Sequence, residues 1–250
     1  MRQRTDKEME WELLDSETVM KRPWLNVTKD RVRLPNGRVH DEYYVLHYPD
    51  WVNVIALTTD GLMILERQYR HGIRRVGTEI VAGCVEPGES PFDAAQRELL
   101  EETGYAGGRW TPFLKLCPNP GAMDNTCYCF LAEDVEPIGT RHLDATEDIE
   151  VMLKRPEEVW KMLDEGCFLQ AMMVAPLLKF FMKRAKKNEN RTFRECQAIA
   201  QTNPNDGFRG KRCRLMPAFC WQLFPIQACL RARSKRWAAS FTGPYGLLAM

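Results

Sequence analysis

The sequence predicts an α+β fold, arranged as an α/β/α sandwich and preceded by an antiparallel strand region. Three observations predict it. Most of the first 150 residues read as short β-rich runs divided by Gly, Pro, Asn and Asp turns. One helical run, 91–103, follows a glycine-containing loop and is bounded by cap residues. Two further helical runs close the strand-rich part.

In chain order, WELLDSETVMK (11–21) and WLNVTKDRVRL (24–34) read as strands. The second runs into Pro35-Asn36-Gly37, a tight-turn signal, and then into RVHDEYYVLHY (38–48). Residues 52–58, the turn Thr59-Asp60-Gly61 and LMILERQYR (62–70) make a second hairpin. A short strand over 78–82 delivers the chain to Gly83. Helix 91–103 has Ser90 as N-cap, Pro91 in its first turn and Gly104 as its stop. Phe92, Ala95, Leu99 and Thr103 form its expected packing face. Strands over 110–116 and 126–131 flank the loop CPNPGAMDN, and 149–153 is a further strand. Residues 156–165 and 169–186 are helices, the second expected to kink at Pro176.

The chain has 250 residues, enough for a domain with an appendage. Its 44% hydrophobic and 28% charged content is that of a soluble globular protein. No apolar run approaches the ~20 residues that span a bilayer, and MRQRTDKEMEWELL lacks the apolar core of a signal peptide. Nine cysteines with no CxxC pair suit reduced thiols in a cytoplasmic protein; Cys127 and Cys129 alternate along a strand and so face one side. The net charge of +1 hides an asymmetry: residues 1–190 carry 25 Lys+Arg against 32 Asp+Glu, and residues 191–250 carry 10 against 2. Three regions are therefore expected: an N-terminal β region (1–48) suited to dimerisation, a main domain (49–186), and a basic Cys- and Trp-containing tail (187–250), poorly ordered. Trp221, Trp237 and the tail arginines show no ordered basic–aromatic spacing, so nucleic acid is not an expected partner.

Chemistry concentrates in GCVEPGESPFDAAQRELLEETGY (83–105). Glu98, Glu101 and Glu102 fall at i, i+3 and i+4, so their carboxylates leave one side of the helix together. Such crowding is repulsive on a bare surface helix, and a hard oxygen-loving cation, Mg²⁺ with Mn²⁺ as substitute, reverses it. Arg97 can pair with Glu89 or Glu101 and so orient the ligands. RELLEE alone is as readily a solvated helix face with weak surface pairs. The longer pattern G-x5-E-x7-R-E-U-x-E-E-x-G-U, with U bulky and apolar, is far more specific. Gly83, Glu89, Arg97, Glu98, Leu99, Glu101, Glu102, Gly104 and Tyr105 satisfy it, Tyr105 being aromatic where an aliphatic residue is usual. The run resembles the Nudix box, the signature of hydrolases of nucleoside diphosphates linked to another moiety.

The flanks resemble the ADP-ribose pyrophosphatase branch of that family, through ERQYR before the box, AEDVEP and TEDIEV after it, and Pro120, sixteen residues beyond Gly104. The resemblance covers roughly residues 8–186 and implies a mixed-sheet sandwich, a homodimer joined through N-terminal strands, and a nucleotide-sugar substrate. It implies metal ligation by Glu98, Glu101, Glu102 and the Ala82 carbonyl, and substrate contacts from Arg70, Glu79 and Pro120. Trp24 and Trp51 are candidates to stack on a purine, and equally core or dimer-contact residues. For Arg70 and Glu79 the plain alternatives are a surface pair with Glu66 or another acid, and a strand-edge charge. The base lies outside the box in this branch; Ala145 stands where a glutamate is usual, which leaves Glu147 and Asp144 as candidates. Two rivals stay open: a Nudix pyrophosphatase for NADH or a dinucleoside polyphosphate, and a nucleotide-sensing module without catalysis. Retention of all four box glutamates and Arg97 favours catalysis.

Overall fold

The computed structural model describes residues 2–143 and 147–202, with side chains through Asn188. Strands β1 (Glu12–Arg22), β2 (Leu25–Arg33) and β3 (Val39–His47) form an antiparallel sheet of their own. The Pro35-Asn36-Gly37 turn closes as expected: Gly37 takes φ 82°, and the Leu34 and Arg38 backbones bond across it. The second sheet contains β4 (Trp51–Thr58), β5 (Met63–Arg70), β6 (Arg75–Glu79), β7 (Val81–Cys84), β8 (Tyr105–Ala106), β9 (Arg109–Leu116), β10 (Cys127–Pro137) and β11 (Glu150–Lys154). Its spine runs β11-β5-β4-β10-β8, with β6 on β5, β7 on β4 and β9 on β10. The β4–β10 pairing is parallel and the others antiparallel, which makes the sheet mixed.

Alternation along the strands divides the core into two layers. Val52, Val54, Ala56, Ile64 and Val81 face helix α1 (Pro91–Thr103), meeting Ala94, Ala95 and Leu99. Ile55, Met63, Leu65 and Ile80 face the other way, where Val159 of α2 (Pro156–Asp164) and Met173, Leu177 and Phe180 of α3 (Ala171–Thr202) cover them. The arrangement is the expected α+β sandwich.

Four details differ from the sequence expectation. The single strand expected at 78–82 is two strands broken at Ile80, which lets β6 pair with β5 while β7 crosses to β4. The strand expected to stop at 131 runs on to Pro137, past a register shift near Asp134, which takes φ 63°. Helix α3 runs past 186 to Thr202, so the segment 187–202 is helical; KKNENRTFRECQAIA contains no Gly or Pro to stop it. The rest of the expected tail, 203–250, lies outside the described residues. Finally, the buried stripe of α1 is Ala94, Ala95, Glu98, Leu99, Glu102 and Thr103, and Phe92 is 40% exposed. Among the described residues no helix is long and apolar enough to cross a membrane, and Cys84, Cys117, Cys127, Cys129 and Cys167 are free thiols.

Candidate metal centre and cleft

Two of the three helix glutamates lie on the buried stripe of α1. Glu98 is 8% exposed and Glu102 is 2% exposed, a costly placement for carboxylates unless something compensates it. Local chemistry puts them there. Ser90 caps the helix, its Oγ accepting from the Asp93 N–H at 3.1 Å, and Gly104 ends it with φ 77° and an N–H bond to the Leu100 carbonyl. A Cβ on Gly104 would stand 2.8 Å from the Gly139 oxygen, so only glycine lets that segment close over the helix end. Gly83 is equally constrained. A Cβ there would fall 2.0 Å from the Glu98 carboxyl, so the missing side chain is the space that Glu98 fills. Glu102 Oε2 accepts the Ala82 N–H at 3.3 Å. Both carboxyls thus lie against the β7 backbone.

Arg97 ties the loop to the helix. Nε and Nη2 clasp Glu89 at 2.9 and 3.0 Å, Nη2 also reaches the Cys84 carbonyl at 2.9 Å, and Nη1 bridges Glu98 Oε1 at 2.9 Å and Glu101 Oε2 at 3.0 Å. Of its expected partners, both Glu89 and Glu101 are present, and Glu98 joins them. The guanidinium holds the Glu89 carboxyl below the usual range.

Burial pushes the Glu98 carboxyl up to about 7, against the pull of Arg97. Burial likewise raises Glu102, which then suffers the charges of Glu66 and Glu98, and burial raises Glu66 itself. A carboxyl raised in the fold contributes stability that is complete below its unfolded value of 4.5 and is lost as pH climbs through 7. The metal-free protein is therefore expected to lose melting temperature between about pH 5 and 8 faster than Glu98→Gln, which has no such group. Thermal unfolding of both proteins across that range checks it, and parallel curves would contradict it.

Glu147 is half-buried, and its charge presses on both Glu98 and Glu102, so it sits beside the acidic group. Asp144, the other candidate base, and Ala145 lie outside the described residues. Arg141 fixes the start of this loop: Nε bonds the Glu102 carbonyl and Nη2 the Ile149 carbonyl, each at 2.6 Å.

Along β7 lies a cleft of about 300 Å³, lined by Trp51, Asn53, Arg70, Ala82, Gly83 and Cys84, with Gln170 just before α3 and Met172 and Met173 in its first turn. A second cleft of about 250 Å³, with Ile73, Glu79 and Leu169, shares Arg70 and Gln170 with it. Arg70 and Glu79 pair with each other, Nε to Oε1 at 2.9 Å and Nη2 to Oε2 at 2.5 Å, so the acid that meets Arg70 is Glu79. Trp51 forms part of the cleft wall, tilted against Tyr48 with ring centroids 5.8 Å apart.

Two expected contacts stand elsewhere in this chain. Trp24 is 76% exposed, on the β1–β2 turn of the separate sheet, and does not line either cleft. Pro120 is exposed and also outside both clefts, because its loop is spent on β3: Tyr43 Oη donates to the Gly121 carbonyl, the Leu46 N–H to Ala122, and His47 Nδ1 meets Asp124 Oδ2.

Sequence reasoning missed Asn53, Cys84, Gln170 and Met173, and took Glu66 only for a surface partner of Arg70, whereas it is buried and Arg70 pairs with Glu79. Asn53 is buried, donating Nδ2 to the Met172 carbonyl at 2.8 Å, which fixes the start of α3 at the cleft. Glu66 is fully buried, and apart from the Glu102 carboxyl neither oxygen meets a hydrogen-bond partner among the described residues. The one available signal was a charge directly after the apolar run Met63-Ile64-Leu65.

The donor set fits a hard divalent cation: all-oxygen, acidic, and with buried carboxyls that lack enough positive partners. Its carboxyls are Glu98, Glu102 and the more exposed Glu101, and Glu102 is bonded to the Ala82 N–H. Among the described residues no three acidic, His or Cys groups already stand as a closed cage, since Arg97 takes one oxygen each of Glu98 and Glu101.

Comparison with known proteins places the chain among related sequences and folds. The family described as the NUDIX domain matches residues 47–170, and the nucleoside diphosphate sugar hydrolase N-terminal domain matches 11–46. The chain is 34% identical to an ADP-ribose pyrophosphatase of Bacillus subtilis (strain 168), over 63% of this chain and 85% of that protein. It is 29% identical to a methanol dehydrogenase activator of Bacillus methanolicus, over 64% and 86% respectively. A crystal structure of an ADP compounds hydrolase superposes with a TM-score of 0.63 at 24% identity, over 73% of this chain and 97% of that one, a likeness of fold.

Proposed function

Since the chain belongs to the NUDIX family of hydrolases, we propose that it cleaves the pyrophosphate bond of ADP-ribose or a related nucleoside diphosphate sugar with Mg²⁺, releasing AMP and a sugar phosphate. One observation carries the reading. Glu98 and Glu102 are buried against β7, whose Ala82, Gly83 and Cys84 wall a cleft that also holds Arg70 and Trp51.

Glu98, Glu102, Glu101 and the Ala82 carbonyl would hold the cation, which when bound neutralises phosphoryl oxygens and makes water more acidic. Arg97 keeps Glu98 and Glu101 in place while clamping the loop through Glu89. Glu147, beside the cluster, is the group assigned to take the proton from the attacking water. Arg70 offers a guanidinium to phosphate or ribose; Glu79 engages Nε and Nη2 and sets its orientation. Trp51 gives a flat apolar surface for the nucleoside.

The same reading includes a cytoplasmic homodimer formed through the N-terminal sheet, where Leu13, Val19, Met20 and Trp24 are exposed. Trp24, absent from this chain's clefts, would then serve a partner's site or the dimer contact. Light scattering at twice the chain mass supports the dimer, and a monomer contradicts it.

A substrate panel with and without Mg²⁺ tests the activity. AMP released fastest from ADP-ribose is the expected outcome. Faster turnover of NADH or a dinucleoside polyphosphate would reassign the substrate. Nucleotide binding in calorimetry without product would replace catalysis with sensing.

A further inference from the structure

We propose that Glu66, on strand β5 and outside the acidic helix, supplies a further carboxylate to the cation site of Glu98 and Glu102. Glu66 takes this role only if those two residues hold a cation, as proposed above.

Glu66 is 0% exposed, and apart from the Glu102 carboxyl neither of its oxygens meets a hydrogen-bond partner among the described residues. A buried carboxylate without a donor is costly and rare, and an apolar residue would fill a core position at no such cost. Its placement is fixed by the sheet. Glu66 pairs in register with Glu79 of β6 and Val151 of β11, and it shares a face with Ile64, which packs toward α1. That face brings its carboxyl into contact with the carboxyl of Glu102.

The surrounding charges leave it uncompensated. Glu79 repels it, and Glu102, itself pushed up by the charge of Glu66, meets it carboxyl to carboxyl. Arg70 and Arg141 attract it from nearby, but Arg70 is clasped by Glu79, and Arg141 gives Nε to the Glu102 carbonyl and Nη2 to the Ile149 carbonyl. Two carboxyls face to face with no committed cationic side chain form an oxygen pair of the kind a hard divalent cation takes up. Only Glu102 belongs to the acidic motif of the helix, so Glu66 adds a ligand from the sheet.

Mn²⁺ uptake by the full chain, stripped of metal and without substrate, tests this by electron paramagnetic resonance of the free ion. Glu66→Gln and Glu66→Leu are each expected to weaken Mn²⁺ binding tenfold or more. Their metal-free melting temperatures should match or exceed that of the wild type, since a buried acid is gone. Unchanged affinity in Glu66→Gln overturns the assignment, even if Glu66→Leu binds poorly, because Glu66 would then be a hydrogen-bonding neighbour of Glu102. Should Glu66→Gln fail to fold, Glu66→Asp withdraws the carboxylate by one methylene; several-fold weaker binding is expected, and wild-type affinity overturns the idea. A wild type that takes up no Mn²⁺ removes the cation reading itself, whereas a binding wild type with an unaltered variant removes Glu66 alone.

Discussion

Glu102→Gln is expected to lower Mg²⁺-dependent turnover on ADP-ribose by roughly 10²–10⁴-fold, the scale for losing a group that stabilises charge at a reacting centre. Glu102 is 2% exposed and held by a backbone bond from the Ala82 N–H. Glutamine keeps the shape and can still accept from the Ala82 N–H, but it removes the charge that grips a cation. The fold should survive, because the substitution relieves repulsion from Glu66 and Glu98. Circular dichroism and melting of the variant separate lost chemistry from lost structure. Near wild-type kinetics in a folded variant would take Glu102 out of the cation site.

Glu147→Gln is the second large effect. Loss of a general base costs typically 10²–10⁴-fold, and the loss should fall on kcat with KM little changed, because Glu147 is assigned to water and not to the nucleotide. Cation affinity should stay within a few-fold of wild type, which distinguishes this variant from Glu102→Gln. If Glu147→Gln is as fast as wild type and Asp144→Asn is slow, the base is Asp144. If neither is slow, the proton goes elsewhere.

What could be read from sequence was mostly what is decided locally. Ser90, Pro91 and Gly104 bounded α1 correctly because capping involves only a few adjacent residues. The Pro35-Asn36-Gly37 turn was legible for the same reason. The spacing of Glu98, Glu101 and Glu102 put them on one side of a helix, yet it could not tell a buried pair from a solvated face. That difference depends on Gly83, whose missing side chain leaves the space for Glu98. The burial of Glu66 beside Glu102 was invisible because it depends on Glu102 arriving from another element, through a sheet register no local pattern encodes. The break at Ile80 was hidden likewise: each half chooses a different partner strand. Trp24 and Trp51 offered the same chemistry on paper, and only tertiary placement put Trp51 at the cleft and Trp24 out on the separate sheet. Helix α3 outran its expected end because a change in charge is not a stop signal; Gly or Pro would have been.

If buried carboxylates on α1 hold a divalent cation for cleavage of a pyrophosphate bridge, the initial rate of AMP release from ADP-ribose by the metal-stripped protein must depend on Mg²⁺ added back. No turnover is expected at zero Mg²⁺, then a saturable rise as the ion is restored, with AMP and ribose 5-phosphate released in equal amounts. Turnover that persists in excess chelator, or that fails to respond to any divalent ion, would contradict this role of the carboxylates.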